Sequence, residues 1–167
     1  MEQEDKSFLE AFEEKKLPGT LNVLTILTFI GCGLMAIGAI WGFFGAKDTY
    51  EKMDTLINSG DLDKMPSFLR GMYNQDMLEV TRKNYENRLP ILIIYLVSTA
   101  LCLFGAVKMR QQKKDGYAAW LIGEVLPFVG SILFVGAAAF KGFSPIFGII
   151  VTGVFIVLYS TQRKNLS

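Results

Sequence analysis

Histidine is absent from this chain of 167 residues, and cysteine occurs only twice, at Cys32 and Cys102. Without histidine, the chain lacks the residue on which many zinc sites and most catalytic triads depend. The sequence also has no phosphate-binding glycine loop of the Walker type and no zinc-ligand spacing. We therefore expect no bound metal, no cofactor and no enzymatic activity.

Charged residues are almost absent from four long apolar segments, at positions 20–46, 89–107, 117–140 and 144–160. Glu124 is the single charged side chain within them. A helix of about 20 apolar residues crosses the hydrocarbon core of a bilayer, and its backbone groups must be hydrogen-bonded within the segment. The sequence therefore predicts an all-α, polytopic membrane protein, a four-transmembrane-helix bundle.

The charges outside the four spans are unevenly distributed. The connector 108–116 has four basic residues against Asp115 alone, and the tail 161–167 contains Arg163 and Lys164. Because short cytoplasmic loops are rich in Lys and Arg, the connector and both termini are predicted to be cytoplasmic. The loop 47–88 and the turn 141–143 then face outward. The compact chain with short loops is typical of a bacterial cytoplasmic (inner) membrane protein.

The N-terminal segment 1–19 is predicted to contain a short amphipathic helix. Ser7 and Glu10 have the spacing of a capping box, and Phe8, Leu9 and Phe12 share one face. This helix either lies on the cytoplasmic leaflet or docks a partner.

The long loop 47–88 is predicted to form short helices that cap the outer end of the bundle. Asp48 with Glu51 indicates a helix start, Asn58-Ser59-Gly60 a stop, and a further helix should run from Asn74 towards Leu89. The apolar residues of this cap either pack over the helix ends or form an adaptable surface for a partner. The residues of that possible surface are Met53, Met65, Phe68, Met72 and Met77.

Small residues spaced four apart predict close helix packing, because they let two backbones approach each other in lipid. Three such rows occur, in the first, third and fourth spans. They include Gly38, Gly42 and Ala46, then Ala119 and Gly123, and finally Gly148 with Thr152. They predict either an intramolecular bundle or a homo-oligomer.

Glu124 is the most specific feature of the sequence. It lies seven residues into the third span and three before Pro127, and an intramembrane carboxylate must be protonated, paired or hydrated. At the same depth the other spans carry hydroxyls, and Pro127 leaves the Gly123 carbonyl without its helical N–H donor. The predicted polar layer, with a possible lining tyrosine, consists of Glu124, Thr28, Thr99, Thr152 and Tyr95. By contrast, counting from the span ends places Cys32 and Cys102 about 9 Å apart in depth, too far for a disulfide.

Two functions fit these patterns. The first is a non-enzymatic accessory or scaffold subunit that binds a membrane-protein partner, with Glu124 bonded to neighbouring hydroxyls for packing. The second is a small proton- or cation-coupled transporter or channel that uses Glu124, alone or as a homo-oligomer. The lipid bilayer is an expected contact in both, and nothing in the sequence indicates nucleic-acid binding.

Overall fold

The computed structural model describes residues 18–60, 66–70, 73–140 and 143–166. Within these ranges the chain forms six α-helices and two short 3₁₀ turns, and no strand. The helices are α1 (Gly19–Asn58), α2 (Ser67–Arg70), α3 (Gln75–Glu86), α4 (Arg88–Arg110), α5 (Asp115–Phe134) and α6 (Phe143–Gln162). The predicted N-terminal amphipathic helix lies outside the described residues.

Four of the described helices are long and apolar enough to cross a membrane. They are α1, α4, α5 and the part of α6 from Pro145 to Gln162. Short helices follow the first span, in the segment that leads to the second. The predicted fold class is therefore confirmed: the chain is an all-helical, multi-pass membrane protein.

The first span and the start of the cap are one continuous helix, contrary to the helix start predicted at Asp48. Helix α1 runs for 40 residues without a break. No proline or loop-forming cluster interrupts it after Ala46, and the polar part is supported by ion pairs one turn apart, Lys47–Glu51 at 3.5 Å and Lys52–Asp48 at 2.7 Å. The helix ends at Asn58, as predicted, before Gly60 with its positive φ of 75°.

Helix α3 packs against the extension of α1. It starts where the sequence predicts, because the Asn74 side chain accepts a 2.8 Å hydrogen bond from the Met77 amide. The Tyr50 and Tyr85 rings stack across the two helices with their centroids 5.8 Å apart. The cap is therefore continuous with the bundle, because α3 packs against the polar part of α1.

Helices α4 and α5 form the tightest pair in the bundle. A Cβ atom at Gly105 would lie 2.5 Å from the Trp120 amide nitrogen, and one at Gly116 would lie 2.7 Å from the Met109 amide nitrogen. Only glycine permits such a close backbone approach. These two helices form the centre against which the other two spans pack.

Polar contacts join the helices near the end of the bundle that carries the basic connector. Arg110 donates hydrogen bonds to Asn22 Oδ1 at 3.0 Å and to Thr25 Oγ1 at 3.3 Å, which connects α4 with the start of α1. The Tyr117 and Ser160 hydroxyls are 2.7 Å apart and connect α5 with α6. Helix α6 is otherwise weakly attached, since 6% of its apolar stretch is buried in the chain, against 22%, 28% and 22% in the other spans.

The third span is shorter than the sequence predicts. Helix α5 ends at Phe134 rather than at Phe140, and Gly136 adopts a positive φ of 92°. A 3₁₀ turn, Ala137–Phe140, follows. The apolar composition of 135–140 concealed this ending, because hydropathy alone does not register the left-handed backbone that glycine permits.

Candidate functional site

Glu124 lies in the middle of α5 and faces two other spans. Its Oε1 atom accepts a 3.1 Å hydrogen bond from the Thr152 hydroxyl on α6. Its Oε2 atom lies 3.7 Å from the Cys102 thiol of α4, which donates to it. Both carboxyl oxygens therefore have protein partners inside the bundle, and the side chain connects three helices.

The two cysteines are neighbours, and the depth separation of about 9 Å predicted from the sequence is wrong. The Cys32 and Cys102 thiols are close enough to interact electrostatically, and both are free and buried in the same core cluster. The error came from counting along apolar boundaries. Counted from the Asn22–Arg110 contact, Cys32 is ten residues along α1 and Cys102 is eight along α4, which differ by about 3 Å of helix rise.

A hydroxyl from α4 replaces the hydrogen bond that Pro127 removes from α5. Proline has no N–H, so the Gly123 carbonyl loses its usual donor within the helix. The buried Ser98 hydroxyl donates to that carbonyl. The sequence indicated the free acceptor, because Pro127 follows Gly123 by four residues, but it did not indicate which donor would reach it.

A second polar contact occurs where α1 meets α6. The Thr28 and Tyr159 hydroxyls are 2.8 Å apart, and Tyr159 is fully buried. The Tyr159 ring packs on Trp120, with the ring centroids 4.3 Å apart. The Trp120 indole nitrogen has no hydrogen-bond acceptor within the described residues. This group was not predicted from the sequence, where its aromatic members looked like ordinary apolar residues.

The predicted polar layer is therefore only partly assembled. Thr152 contacts Glu124, whereas the hydrogen bond of Thr28 is made with Tyr159 instead. Thr99 donates to the Tyr95 carbonyl within its own helix, at 2.8 Å. Tyr95 lies elsewhere and lines a cavity between α1, α3 and α4. The assembled layer consists of Glu124, Thr152, Cys102 and Cys32.

The predicted rows of small residues have different environments. Gly123 contacts α4 closely, since a Cβ atom there would lie 2.7 Å from the Cys102 sulfur. In contrast, Gly38, Gly42 and Gly148 have no such atom within 4 Å, so they do not make the close intramolecular contacts expected of them. Ala46 lines the same cavity as Tyr95, and Ala119 is half-buried. The close packing instead includes Gly105 and Gly116, which lie outside the predicted rows.

The predicted methionine surface is only partly within the described residues. Met53 and Met77 are half-buried on α1 and α3. The Thr81 hydroxyl donates to the Met77 carbonyl at 2.8 Å and lies 3.4 Å from the Met53 sulfur. Met65, Met72 and the side chain of Phe68 lie outside the described residues. Met53 thus contacts α3 within the cap.

The chemistry open to the Glu124 layer is limited by its partners. Within the described ranges, no group of three or more carboxylates and thiols is arranged to hold a metal ion. Glu124 is hydrogen-bonded to Thr152 and Cys102, and it is not among the residues that line the neighbouring cavity. A hydrogen-bonded layer of this kind fixes helix positions.

No protein-family model, no curated protein and no solved structure matches this chain.

Proposed function

We propose that this chain is a non-enzymatic accessory or scaffold subunit of a membrane-protein complex. The proposal includes cytoplasmic termini, which the basic connector between α4 and α5 supports. It also includes a bacterial cytoplasmic membrane, for which the compact chain with short loops is the support. The observation that carries the functional proposal is the pairing of Glu124 with Thr152 and Cys102.

This pairing favours a structural role for Glu124 because a transported ion needs a path. A coupling carboxylate in a transporter faces a water-filled cavity or a second ionisable group. Here Glu124 is half-buried, and its oxygens are bonded to side chains of α4 and α6. These contacts connect α5 with α4 and α6.

The weak attachment of α6 supports a partner within the membrane. Gly148 and Gly153 have no atom of a neighbouring element within 4 Å of the Cβ position. Val157 and Ile150 beside them are 63% and 58% exposed. Small residues on an uncovered helix face allow the close approach of a helix from another chain.

Native mass spectrometry after mild detergent extraction from the source membrane tests the proposal. We expect an assembly that contains other polypeptides besides the 18.6 kDa chain. Gly153→Leu should release those polypeptides, because the new side chain occupies the face that a partner helix would use. Gly33→Leu on α1 is the matched control, since that glycine also has open space around it.

Two results would contradict the proposal. One is a monomer or homodimer as the largest species from the native membrane. The other is an assembly that Gly153→Leu and Gly33→Leu disturb equally, because a specific face on α6 would then have no role.

The rival function is a small proton- or cation-coupled transporter, and the observation in its favour is Glu124 itself. It is the one charged residue within the most apolar part of the described spans. Reconstitution in liposomes with a proton gradient tests it. Flux that is present in the native chain and lost in Glu124→Gln would favour the transporter, whereas absence of flux in both favours the scaffold.

A further inference from the structure

A cavity of about 500 Å³ lies between α1, α3 and α4. It is separate from the Glu124 layer. Its volume is within the range of sites that hold small molecules. The lining residues are Met35, Gly38, Ala39, Gly42, Phe43, Ala46, Thr49, Thr81, Asn84, Arg88, Ile91, Leu92 and Tyr95. We call this cavity the lateral groove.

The floor of the lateral groove is made of small residues on α1. Gly38 and Gly42 are one turn apart, and no atom of a neighbouring helix lies within 4 Å of either Cβ position. The groove therefore exists because α1 and α4 do not close on each other at this level. From Met35 to Ala46 the floor is about 16 Å long by helix rise, which accommodates most of one acyl chain.

The lateral groove is polar at one end and apolar at the other. Thr49, Thr81 and Asn84 line the end next to the cap, together with Arg88 at the first position of α4. Arg88 is therefore at the membrane boundary, where lipid headgroups lie. The deeper part is lined by aliphatic side chains and by Tyr95.

Arg88 is held at the rim of the groove by aromatic rings. Its guanidinium carbon lies 5.3 Å from the Phe43 ring centroid and 5.0 Å from that of Tyr85. Among the ion pairs of the described residues, none includes Arg88. Its N–H groups remain positioned for an anionic group, because ring faces orient a guanidinium without using its donors.

We propose that the lateral groove binds a membrane phospholipid with an anionic headgroup. The phosphate interacts with the guanidinium of Arg88 and the amide of Asn84, and one acyl chain lies along Gly38 and Gly42. A guanidinium binds phosphate oxygens through paired N–H groups. A zwitterionic headgroup has the same phosphate but adds a quaternary ammonium that the guanidinium repels, which gives an anionic headgroup the advantage. This inference is independent of the proposed scaffold function.

A lipid is the occupant that fits the surroundings of the lateral groove. Leu34 and Ile37 on α1 are 67% and 62% exposed, and Leu89 and Ile93 on α4 are 57% and 52% exposed. These residues belong to spans that cross the bilayer, so the groove can be entered sideways from the lipid. A phospholipid in the bilayer would place its headgroup at the cationic rim and its acyl chain along the apolar floor, which supports the assignment.

Native mass spectrometry of the full chain, titrated with defined lipids, tests the assignment. The probes are phosphatidylglycerol and phosphatidylcholine with identical acyl chains. We expect phosphatidylglycerol to bind about tenfold more tightly than phosphatidylcholine as the first lipid, because it lacks the choline cation that Arg88 repels. Arg88→Gln should remove this preference, and Gly42→Leu should reduce binding of both lipids because leucine occupies the floor.

Two controls separate the lateral groove from other lipid contacts. Gly33→Leu places the same side chain in open space outside the groove and should leave binding unchanged. The double variant Lys113→Gln/Lys114→Gln removes charge from the connector at the opposite end of the bundle, and it should also leave the first bound lipid unchanged. Thermal unfolding of each variant in the same detergent checks that the bundle is intact.

The assignment is overturned by any of three results. The first is equal affinity for the two lipids in the native chain. The second is a folded Gly42→Leu variant that binds as the native chain does. The third is a phosphatidylglycerol preference that survives Arg88→Gln and disappears in the lysine double variant, because the lipid would then be bound at the connector.

Discussion

The Thr152 hydroxyl donates a 3.1 Å hydrogen bond to Oε1 of Glu124 and so connects α6 with α5. Two further hydroxyl contacts hold α6, Thr28–Tyr159 and Tyr117–Ser160, and α6 is the least buried of the four spans. In a bilayer the hydrophobic effect does not drive helices together, so single hydrogen bonds and close packing decide their positions. Glu124 therefore provides one of three polar attachments of the last span.

Loss of the Thr152 hydroxyl should weaken the bundle measurably. We expect Thr152→Val to lower the free energy of unfolding in mixed micelles by about 0.6 kcal/mol, the average for hydrogen bonds between membrane helices. Thr99→Val is the control, because Thr99 donates only within its own helix, to the Tyr95 carbonyl. Equal effects of the two variants would show that the contact with Glu124 does not stabilise α6.

The close approach of α4 and α5 predicts a strong response to a single methyl group. Gly105→Ala places a Cβ atom 2.5 Å from the Trp120 amide nitrogen, so backbone must move. We expect a loss of about 1–3 kcal/mol in the free energy of unfolding, as in other overpacked sites. Gly31→Ala, with nothing within 4 Å, should be neutral or stabilising, since alanine favours the helix. A thermal midpoint that is equal in the two variants would contradict this packing.

The sequence was sufficient for the fold class because hydropathy reports directly on the solvent around each helix. The four spans follow from local rules, as do the end of α1 at Asn58 and the start of α3 after Asn74. Pairing between helices does not, because it depends on rotation and register. Counting residues from apolar boundaries brought Thr28 and Thr99 to Glu124 and left out Cys102, a member of the observed layer. A single interhelical contact, Arg110–Asn22, is sufficient to correct the register of the first two spans.

The proximity of the buried Cys32 and Cys102 thiols predicts that the two can be joined. We expect a membrane-permeant oxidant to convert them into an intramolecular disulfide, with the loss of two hydrogen atoms in the intact mass. Thiol labelling after denaturation should fall in parallel, and reductant should restore it. Cys32→Ser removes the partner and is the control. Unchanged mass and labelling in the oxidised native chain would contradict the placement of α1 against α4.

The contact between Ser98 and the Gly123 carbonyl predicts an energetic coupling with Pro127. Ser98→Ala leaves the carbonyl without a donor, because proline provides no N–H four residues later. We expect this variant to lower the free energy of unfolding by about 1 kcal/mol. Pro127→Ala restores a backbone N–H that can bond to Gly123, so Ser98→Ala should cost less in that background.

A double-mutant cycle measures this coupling. The four proteins are the native chain, the two single variants and the double variant, each unfolded in the same micelles. A positive coupling means that the hydroxyl of α4 compensates for the proline of α5. Additive effects would instead mean that Ser98 stabilises the bundle by packing alone. A hydrogen bond to the Gly123 carbonyl, from either donor, would then contribute nothing to the free energy of unfolding. Ser131→Ala serves as the control, because the Ser131 hydroxyl donates to the Pro127 carbonyl within α5 and should show no coupling to Ser98.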